Sequence, residues 1–342
     1  MEMMTNYDDH LHKIVSKELM TKSMDPLVWY KAMEETGFSD DGTTKKTYVR
    51  LRVDALREEE ERPIIEAGKE SWLREAKQGI RLSQFLLGME YRDLPGNANA
   101  EGALRWLTRA AEEVPMAQVI LGNMYANGEG VTQDYVQAIT CWRLAAQEGI
   151  FMAQQTLARH YQEGIGVLRD DCEAFKWIRL MAERGDTPSQ SILGNLYANG
   201  AGVEQDFVEA VIWFRVAAEK GNVIAQHNLG LCYAKGQGIE QDFTEAHVWH
   251  RLAALQGDVR SQTIVGSYYM NGNGVPQNDE EALKWFRLAA EQGDDYAQFF
   301  IGNFYHYGRH VPIDYAEAVK WYRRAAEQGY KPAQQALNDL NM

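Results

Sequence analysis

The pattern of apolar and polar positions repeats along most of the chain with a period of 36 residues. In "SQSILGNLYANG" the large residues Leu193, Leu196 and Tyr197 recur at the spacing of one helix face, and "FVEAVIWFRVAAEKG" carries a second such face. Each copy is therefore predicted to contain two helices, which we name helix A and helix B. Glycines such as Gly221 are predicted to close helix B in the left-handed conformation.

Several residue types keep one register position through the copies, which defines the organisation of the chain. The columns are Gln118, Gln154, Gln190, Gln226, Gln262, Gln298 and Gln334; Tyr125, Tyr161, Tyr197, Tyr233, Tyr269 and Tyr305; Ala138, Ala174, Ala210, Ala246, Ala282 and Ala318; and Trp177, Trp213, Trp249, Trp285 and Trp321. We predict seven copies over residues 80–329, a degenerate half copy at 63–79 and a C-terminal capping helix at 330–342. Residues 1–62 are predicted to form a helical segment, either a cap or a docking element.

Each helix pair leaves apolar surface that the next pair must bury, so the predicted fold is an all-α solenoid. A glycine lies in the middle of helix A in six copies, for example Gly194, and each costs about 0.5–1 kcal/mol relative to alanine. Packing must offset this cost. We expect the glycine to face the small alanine column of helix B, so that the two backbones approach closely.

Residues 225–257, "AQHNLGLCYAKGQGIEQDFTEAHVWHRLAALQG", resemble the Sel-1-like repeat, a relative of the tetratricopeptide repeat. The resemblance covers about residues 80–340 and implies a right-handed α/α superhelix whose concave groove is lined by A helices. It also implies a non-catalytic scaffold or adaptor that binds proteins. Ala158 and His310 depart from the pattern, each standing where a glycine is usual.

The loop "NGAGVEQD" between the two helices shares closely spaced glycines with phosphate and metal sites, but it lacks the third glycine, the Gly-Lys-Ser/Thr and the ligand series that such sites need. Asp206 followed by Glu209 instead predicts a capping box for helix B. His247 and His250 share one helix face and could ligate zinc, but their columns are mostly apolar, so we predict partly buried neutral imidazoles. We find no catalytic constellation, so we predict no enzyme activity, no cofactor and no metal.

The candidate binding surface is the groove face of helix A. If tetratricopeptide geometry carries over, the residue after the glycine and the residue three before it face the groove. The first column reads Asn123, Arg159, Asn195, Leu231, Ser267 and Asn303, and the second reads Val119, Gln155, Ser191, His227, Thr263 and Phe299. Tyr296, Phe299, His306 and Tyr307 add aromatic anchors near the C-terminus. The alternative is an ordinary solvated surface.

A column of arginines on helix B is predicted to form a salt-bridge ladder with glutamates four residues on, as in Arg179 with Glu183. A stripe that binds an acidic partner is the alternative. The pairs are Arg179 with Glu183, Arg215 with Glu219, Arg287 with Glu291 and Arg323 with Glu327.

The 342 residues carry a formal net charge of -14, which argues against binding to nucleic acid and suits a basic protein partner. Neither a signal peptide nor a membrane span is apparent, and the three cysteines suggest no disulfide framework, so a cytoplasmic protein is expected. Two alternatives stay open: an immunity-type inhibitor of one toxin or enzyme, and an enzyme whose site lies in residues 1–79. Self-association through residues 1–79 is a further alternative.

Overall fold

A computed structural model of the chain describes residues 65–93 and 97–340. The predicted helical segment at 1–62 lies outside the described residues. The chain divides into two compact units, Met1–Trp177 and Ile178–Met342, and we describe each by itself.

The described residues form sixteen helices and no strand, in the predicted alternation of helix A and helix B. The first unit contains α1 (Ile65–Lys77), α2 (Arg81–Asp93), α3 (Asn97–Ala110), α4 (Pro115–Asn127), α5 (Tyr135–Gln147), α6 (Phe151–Glu163) and the start of α7 (Asp171–Glu183), within which the division falls. The second unit contains the rest of α7, α8 (Thr187–Asn199), α9 (Phe207–Glu219), α10 (Val223–Lys235), α11 (Phe243–Leu255), α12 (Val259–Asn271), α13 (Asp279–Glu291), α14 (Asp295–Tyr307), α15 (Tyr315–Glu327) and α16 (Lys331–Asp339). Odd-numbered helices are B helices and even-numbered helices are A helices.

The turn from helix A to helix B is fixed at both ends. Gly200 ends α8 at φ 67°, and its N–H donates to the carbonyl of Leu196. Asp206 begins α9, and its carboxylate accepts from the N–H groups of Val208 and Glu209. His310, which replaces a loop glycine, adopts the same left-handed conformation at φ 59°.

The predicted capping box is half right. The backbone N–H of Asp206 does not bond to the Glu209 side chain, because it donates to the carbonyl of Tyr197 at 3.0 Å. This bond ties the end of helix A to the start of helix B. The same bond joins Asp134 to Tyr125, Asp170 to Tyr161, Asp242 to Tyr233, Asn278 to Tyr269 and Asp314 to Tyr305.

The prediction that the helix-A glycine faces the alanine column is wrong. A Cβ on Gly194 would lie 2.5 Å from the ring of Phe214, which lies four residues after Ala210 on helix B. The missing Cβ therefore makes room for a flat side chain, and the alanines are buried elsewhere in the pair. The same relation links Gly122 to Trp142, Gly230 to His250, Gly266 to Phe286 and Gly302 to Tyr322.

The glutamine column joins one repeat to the next. In the second unit, Gln226 Nε2 donates to the Ala218 carbonyl in the last turn of the preceding helix B, at 3.1 Å. Its Oε1 accepts from Gln256 Nε2 at the end of the following helix B, at 2.8 Å. Lys220, Gln292 and Gln328 make the corresponding bonds to Gln190, Gln262 and Gln298.

The arginine column also links repeats, but mainly through tyrosines. Arg179 and Glu183 form the predicted ion pair at 2.7 Å. Among the described residues, the other three predicted arginine–glutamate pairs do not form. Arg215 instead donates to the hydroxyl of Tyr233 in the following helix A at 2.7 Å. Arg143 and Tyr161, and Arg287 and Tyr305, form the same bond.

Candidate functional site

One face of the A helices α4, α6, α8, α10, α12 and α14 keeps solvent access, and we name it the helix-A stripe. In the first unit it contains Ile120, Asn123, Asn127, Met152, Thr156, Arg159 and Glu163; in the second it contains Ile192, Asn195, Asn199, Ile224, Asn228, Leu231, Lys235, Arg260, Ile264, Ser267, Asn271, Tyr296, Phe300, Asn303 and Tyr307. These residues recur at spacings of three and four, so they share a helix face. Their types change from copy to copy while the packing columns stay fixed.

The first predicted column lies on this stripe, but its asparagines are already engaged. Each is half-buried, and each side-chain oxygen accepts a hydrogen bond from within the same unit. The donors are Trp142 Nε1 to Asn123 at 3.0 Å, Asn228 Nδ2 to Asn195 at 2.9 Å and the Tyr322 hydroxyl to Asn303 at 2.7 Å. Each of these oxygens therefore has one of its two acceptor sites already occupied.

The remaining residues of that column differ in availability. Arg159 is exposed, and Leu231 is half-buried. Ser267 is half-buried and its hydroxyl donates to the carbonyl of Thr263 within its own helix at 3.0 Å. Arg159 is therefore the residue of the column with the most polar capacity left for a ligand.

The second predicted column is only partly accessible. Gln155 is exposed and Thr263 and Phe299 are half-buried, whereas Val119, Ser191 and His227 are buried. The reason is packing between neighbouring A helices: His227 Nδ1 lies 2.8 Å from the Ser261 hydroxyl of the following A helix. His227 is only 4% exposed, so its side chain is not available to a partner.

The aromatic residues near the C-terminus are only partly free. Tyr296 and Phe299 pack against Phe300, at ring distances of 4.5 and 5.4 Å, and are half-buried. His306 lies 3.2 Å from the Tyr322 hydroxyl through Nδ1 and is also half-buried. Tyr307 stacks on His306 at 4.4 Å and is 66% exposed, so it is the aromatic side chain of this group that offers the largest free surface.

His247 and His250 are buried, more completely than predicted. Burial lowers the pKa of both imidazoles, to about 4 for His250, with a smaller effect of the neighbouring charges. His250 Nδ1 lies 2.9 Å from the Ala246 carbonyl, so this nitrogen carries the proton in the neutral ring. Within residues 65–93 and 97–340 no three His, Cys, Asp or Glu side chains are grouped as metal ligands.

The repeat geometry can be compared with known families. The Sel1 repeat model matches residues 81–113, 115–150, 152–186, 187–222, 223–258, 259–294 and 295–330. The chain belongs to the Sel1 repeat family. Seven repeats and an all-α solenoid fold are thereby confirmed, and proteins of this family typically mediate protein–protein interaction.

Solved structures support the same assignment. The chain is 37% identical to c5321, a protective antigen present in uropathogenic Escherichia coli strains, over 80% of this chain and 59% of that one, with a TM-score of 0.65. It is 31% identical to a Sel1 repeat protein from Oxalobacter formigenes, over 79% of this chain and 89% of that one, with a TM-score of 0.57. No functionally curated protein matches the chain.

A more distant structural neighbour is the immunity protein Pa5087 from Pseudomonas aeruginosa, at 16% identity and a TM-score of 0.32, over 67% of this chain and 83% of that one. Likeness at this level carries no argument about function. In the part of the chain that the structure describes, none of the helices combines the length and the apolar character needed to cross a membrane.

Proposed function

We propose that this chain is a non-catalytic scaffold or adaptor that binds another protein or a peptide along the helix-A stripe. The observation that carries the proposal is that the stripe varies between copies beside fixed packing columns, and in the second unit it also exposes apolar side chains. Ile192 is 42% exposed, Ile224 is 52% exposed, and Tyr307 lies further along the chain. Exposed apolar and aromatic side chains on a rigid frame are typical of protein-binding surfaces.

The net charge of -14 favours a basic partner, because unlike charges accelerate encounter and suppress wrong partners. The proposed contact residues of the second unit are Asn195, Leu231, Ser267, Asn303 and Tyr307, together with the exposed isoleucines. Near the C-terminus, the exposed edges of Phe299, Tyr296 and His306 are further proposed contacts. The inhibitor alternative stays a prediction, and a neighbouring gene for a toxic enzyme would favour it.

Site-specific cross-linking tests the stripe directly. A photo-reactive phenylalanine replaces Ile192 or Ile224 on the stripe, and in matched variants it replaces Ile212 or Val248 on helix B, which are 48% and 44% exposed. In extracts of the native host we expect the two stripe positions to cross-link one shared protein that the helix-B positions do not. Equal cross-linking from both pairs would exclude the stripe as the docking surface.

Charge substitutions then test the sign of the partner. Asn195→Asp with Asn303→Asp keeps an oxygen acceptor for Asn228 and Tyr322, so we expect little change in melting temperature. A basic partner should bind this double aspartate variant more tightly than the parent. It should bind the variant with lysine at positions 195 and 303 at least tenfold more weakly, when affinities are measured in one buffer at one salt concentration. The reverse order would show that the partner presents negative charge here.

A further inference from the structure

A polar pocket opens on the helix-A stripe of the first unit, between α4, α5 and α6. It has a volume of about 240 Å³ and nine lining residues, among which are Asn123, Asn127, Thr156, Arg159 and His160. It is smaller than sites for cofactors or drug-sized ligands, which span about 300–1,000 Å³. It fits one residue of a peptide.

The pocket carries one permanent charge and it is positive. None of its nine lining residues is acidic, and Arg159 is the lining residue with a fixed charge. Within residues 65–93 and 97–340 no carboxylate lies within ion-pair distance of Arg159, and Glu163, one turn further on the same helix, forms no ion pair with it. A guanidinium with its N–H groups unused binds a carboxylate through two parallel hydrogen bonds.

Trp142, on the pocket wall, fixes the orientation of a second hydrogen-bond donor, the side-chain amide of Asn123. The indole N–H of Trp142 can only donate, so the Asn123 atom that it contacts at 3.0 Å is the oxygen Oδ1. Asn123 lines the same pocket, and its other terminal atom is therefore the Nδ2 amino group, a donor. Asn123 and Arg159 together offer hydrogen-bond donors to one anionic group.

Acceptors lie beside these donors. His160 Nδ1 lies 2.8 Å from the carbonyl of Ile165, which can only accept, so in the neutral ring Nε2 is left as an acceptor. The Asn127 amino group is engaged by Glu129 at 2.7 Å, which leaves its side-chain oxygen. Donors next to acceptors suit a carboxylate that is attached to a peptide N–H.

We propose that this pocket binds one carboxylate of a peptide partner, with Arg159 and Asn123 on the carboxylate oxygens and His160 or Asn127 accepting from a neighbouring peptide N–H. This inference deepens the proposed function, because it names the chemistry of one contact in the first unit. A carboxylate can come from an acidic side chain or from the chain terminus, and the two sources are separated by the probes below.

The test uses the full-length protein, without any partner, in 150 mM salt. Three capped probes are titrated while the Trp142 indole and Arg159 side-chain signals are followed by NMR: acetyl-Gly-Glu-Gly-amide, acetyl-Gly-Ala-Gly with a free carboxylate, and acetyl-Gly-Gln-Gly-amide. We expect saturable shifts with at least one carboxylate probe and none with the glutamine probe. The better of the two carboxylate probes identifies the source.

Arg159→Asn installs the residue that the chain itself carries at the equivalent positions 123, 195 and 303. We expect it to weaken carboxylate binding at least tenfold with an unchanged melting temperature, and Arg159→Lys to lie between it and the parent. Arg251→Ala, at an exposed arginine of helix B, is the matched control and should bind as the parent does. Equal binding of the glutamine probe, parent-like binding by Arg159→Asn, or an equal loss in Arg251→Ala would each overturn the proposal. Because no partner is present, failure here leaves the cross-linking test of the second unit intact.

Discussion

The two units share one repeat frame but differ in how their glutamine columns are satisfied. In the second unit, Gln226 uses both ends of its amide, and the donor to its oxygen comes from the residue 30 positions on, Gln256. In the first unit, the residue 30 positions on from Gln118 is Glu148, which can only accept when ionised. The Oε1 of Gln118 is buried and has no partner among the described residues.

The difference teaches that a donor at the end of helix B closes the inter-repeat bond in the second unit, where Lys220, Gln256, Gln292 and Gln328 supply it. In the first unit the Oε1 of Gln154, like that of Gln118, is buried and has no partner among the described residues. A second contrast lies in the ring column that covers the helix-A glycines. The first unit has Trp142 there, whereas the second has Phe214, His250, Phe286 and Tyr322, and of these His250 can take up a proton.

The largest effect is expected where the two units agree. Gly122→Leu in the first unit and Gly194→Leu in the second each place a side chain on the ring of Trp142 or Phe214. Overpacking of this kind costs typically about 1–3 kcal/mol, and we expect the upper end of that range or more because the clash begins at Cβ. Urea unfolding of each variant measures the cost, and a variant as stable as the parent would refute the ring-packing account.

Gly221→Asn is the matched control for these two substitutions. Gly221 adopts φ 88° and has open space where a Cβ would lie. Asparagine tolerates the left-handed conformation better than most residues, so this variant should lose far less stability. A loss as large as that of Gly194→Leu would show that glycine flexibility, and not the ring contact, sets the cost.

The second-largest effect is a pH dependence of stability that His250 introduces at the position where the first unit has Trp142. The pKa of His250 is lowered from 6.5 to about 4 in the folded protein, chiefly by burial, so the unfolded chain takes up a proton first as pH falls. The contribution of neutral His250 to the free energy of unfolding is fully present above pH 6.5 and is lost as the pH falls from 6.5 towards 4. Linkage gives a loss of about 2 kcal/mol at pH 5 from this residue.

His250→Phe isolates that contribution, because phenylalanine already fills the column as Phe214 and Phe286. It also removes the buried Nε2, which has no partner in the part of the chain that the structure describes. The difference in unfolding free energy between pH 7 and pH 5 should shrink by about 2 kcal/mol. His227 and His247, whose pKa values burial also lowers, would supply the remaining slope. An unchanged slope would contradict the assignment to His250.

The third effect exchanges the two glutamine arrangements. Glu148→Gln supplies a donor for Gln118 and should stabilise the protein by about 1 kcal/mol, the net value of one hydrogen bond. Gln292→Glu removes the donor to Gln262 and should destabilise it by a similar amount. Guanidinium unfolding curves measure both. Unchanged stability in both variants would show that the bond to the glutamine oxygen does not contribute to stability.

The repeat frame could be predicted because comparing the copies shows which residues occupy equivalent positions. The 36-residue spacing located both helices, the loop glycines and Asp206, and the structure confirms these positions. The glutamine column was visible in the sequence, yet its role was not, because the bonds of Gln226 join residues 8 and 30 positions away. Only the fold brings the ends of three successive helices together.

The candidate site was less predictable, and the errors have a common physical cause. Placing His227 in the groove assumed that helix A packs only on helix B, whereas it also packs on the next A helix through Ser261. A rotation of one residue along the helix is enough to exchange a buried column for an exposed one. The pocket around Arg159 was missed because its lining residues come from three helices and the loop after the third.

The smallest effect concerns the arginine column, which looks alike in both units. Tyr161→Phe in the first unit and Tyr233→Phe in the second remove the hydroxyls that accept from Arg143 and Arg215. Because both arginines keep contact with water, we expect each variant to lose only about 0.5 kcal/mol. Double-mutant cycles with Arg143→Ala and Arg215→Ala measure the coupling in each unit. A coupling energy of zero in both units would mean that the arginines are simply solvated. A coupling in one unit alone would mean that the bond between helix B and the following helix A is not common to all repeats.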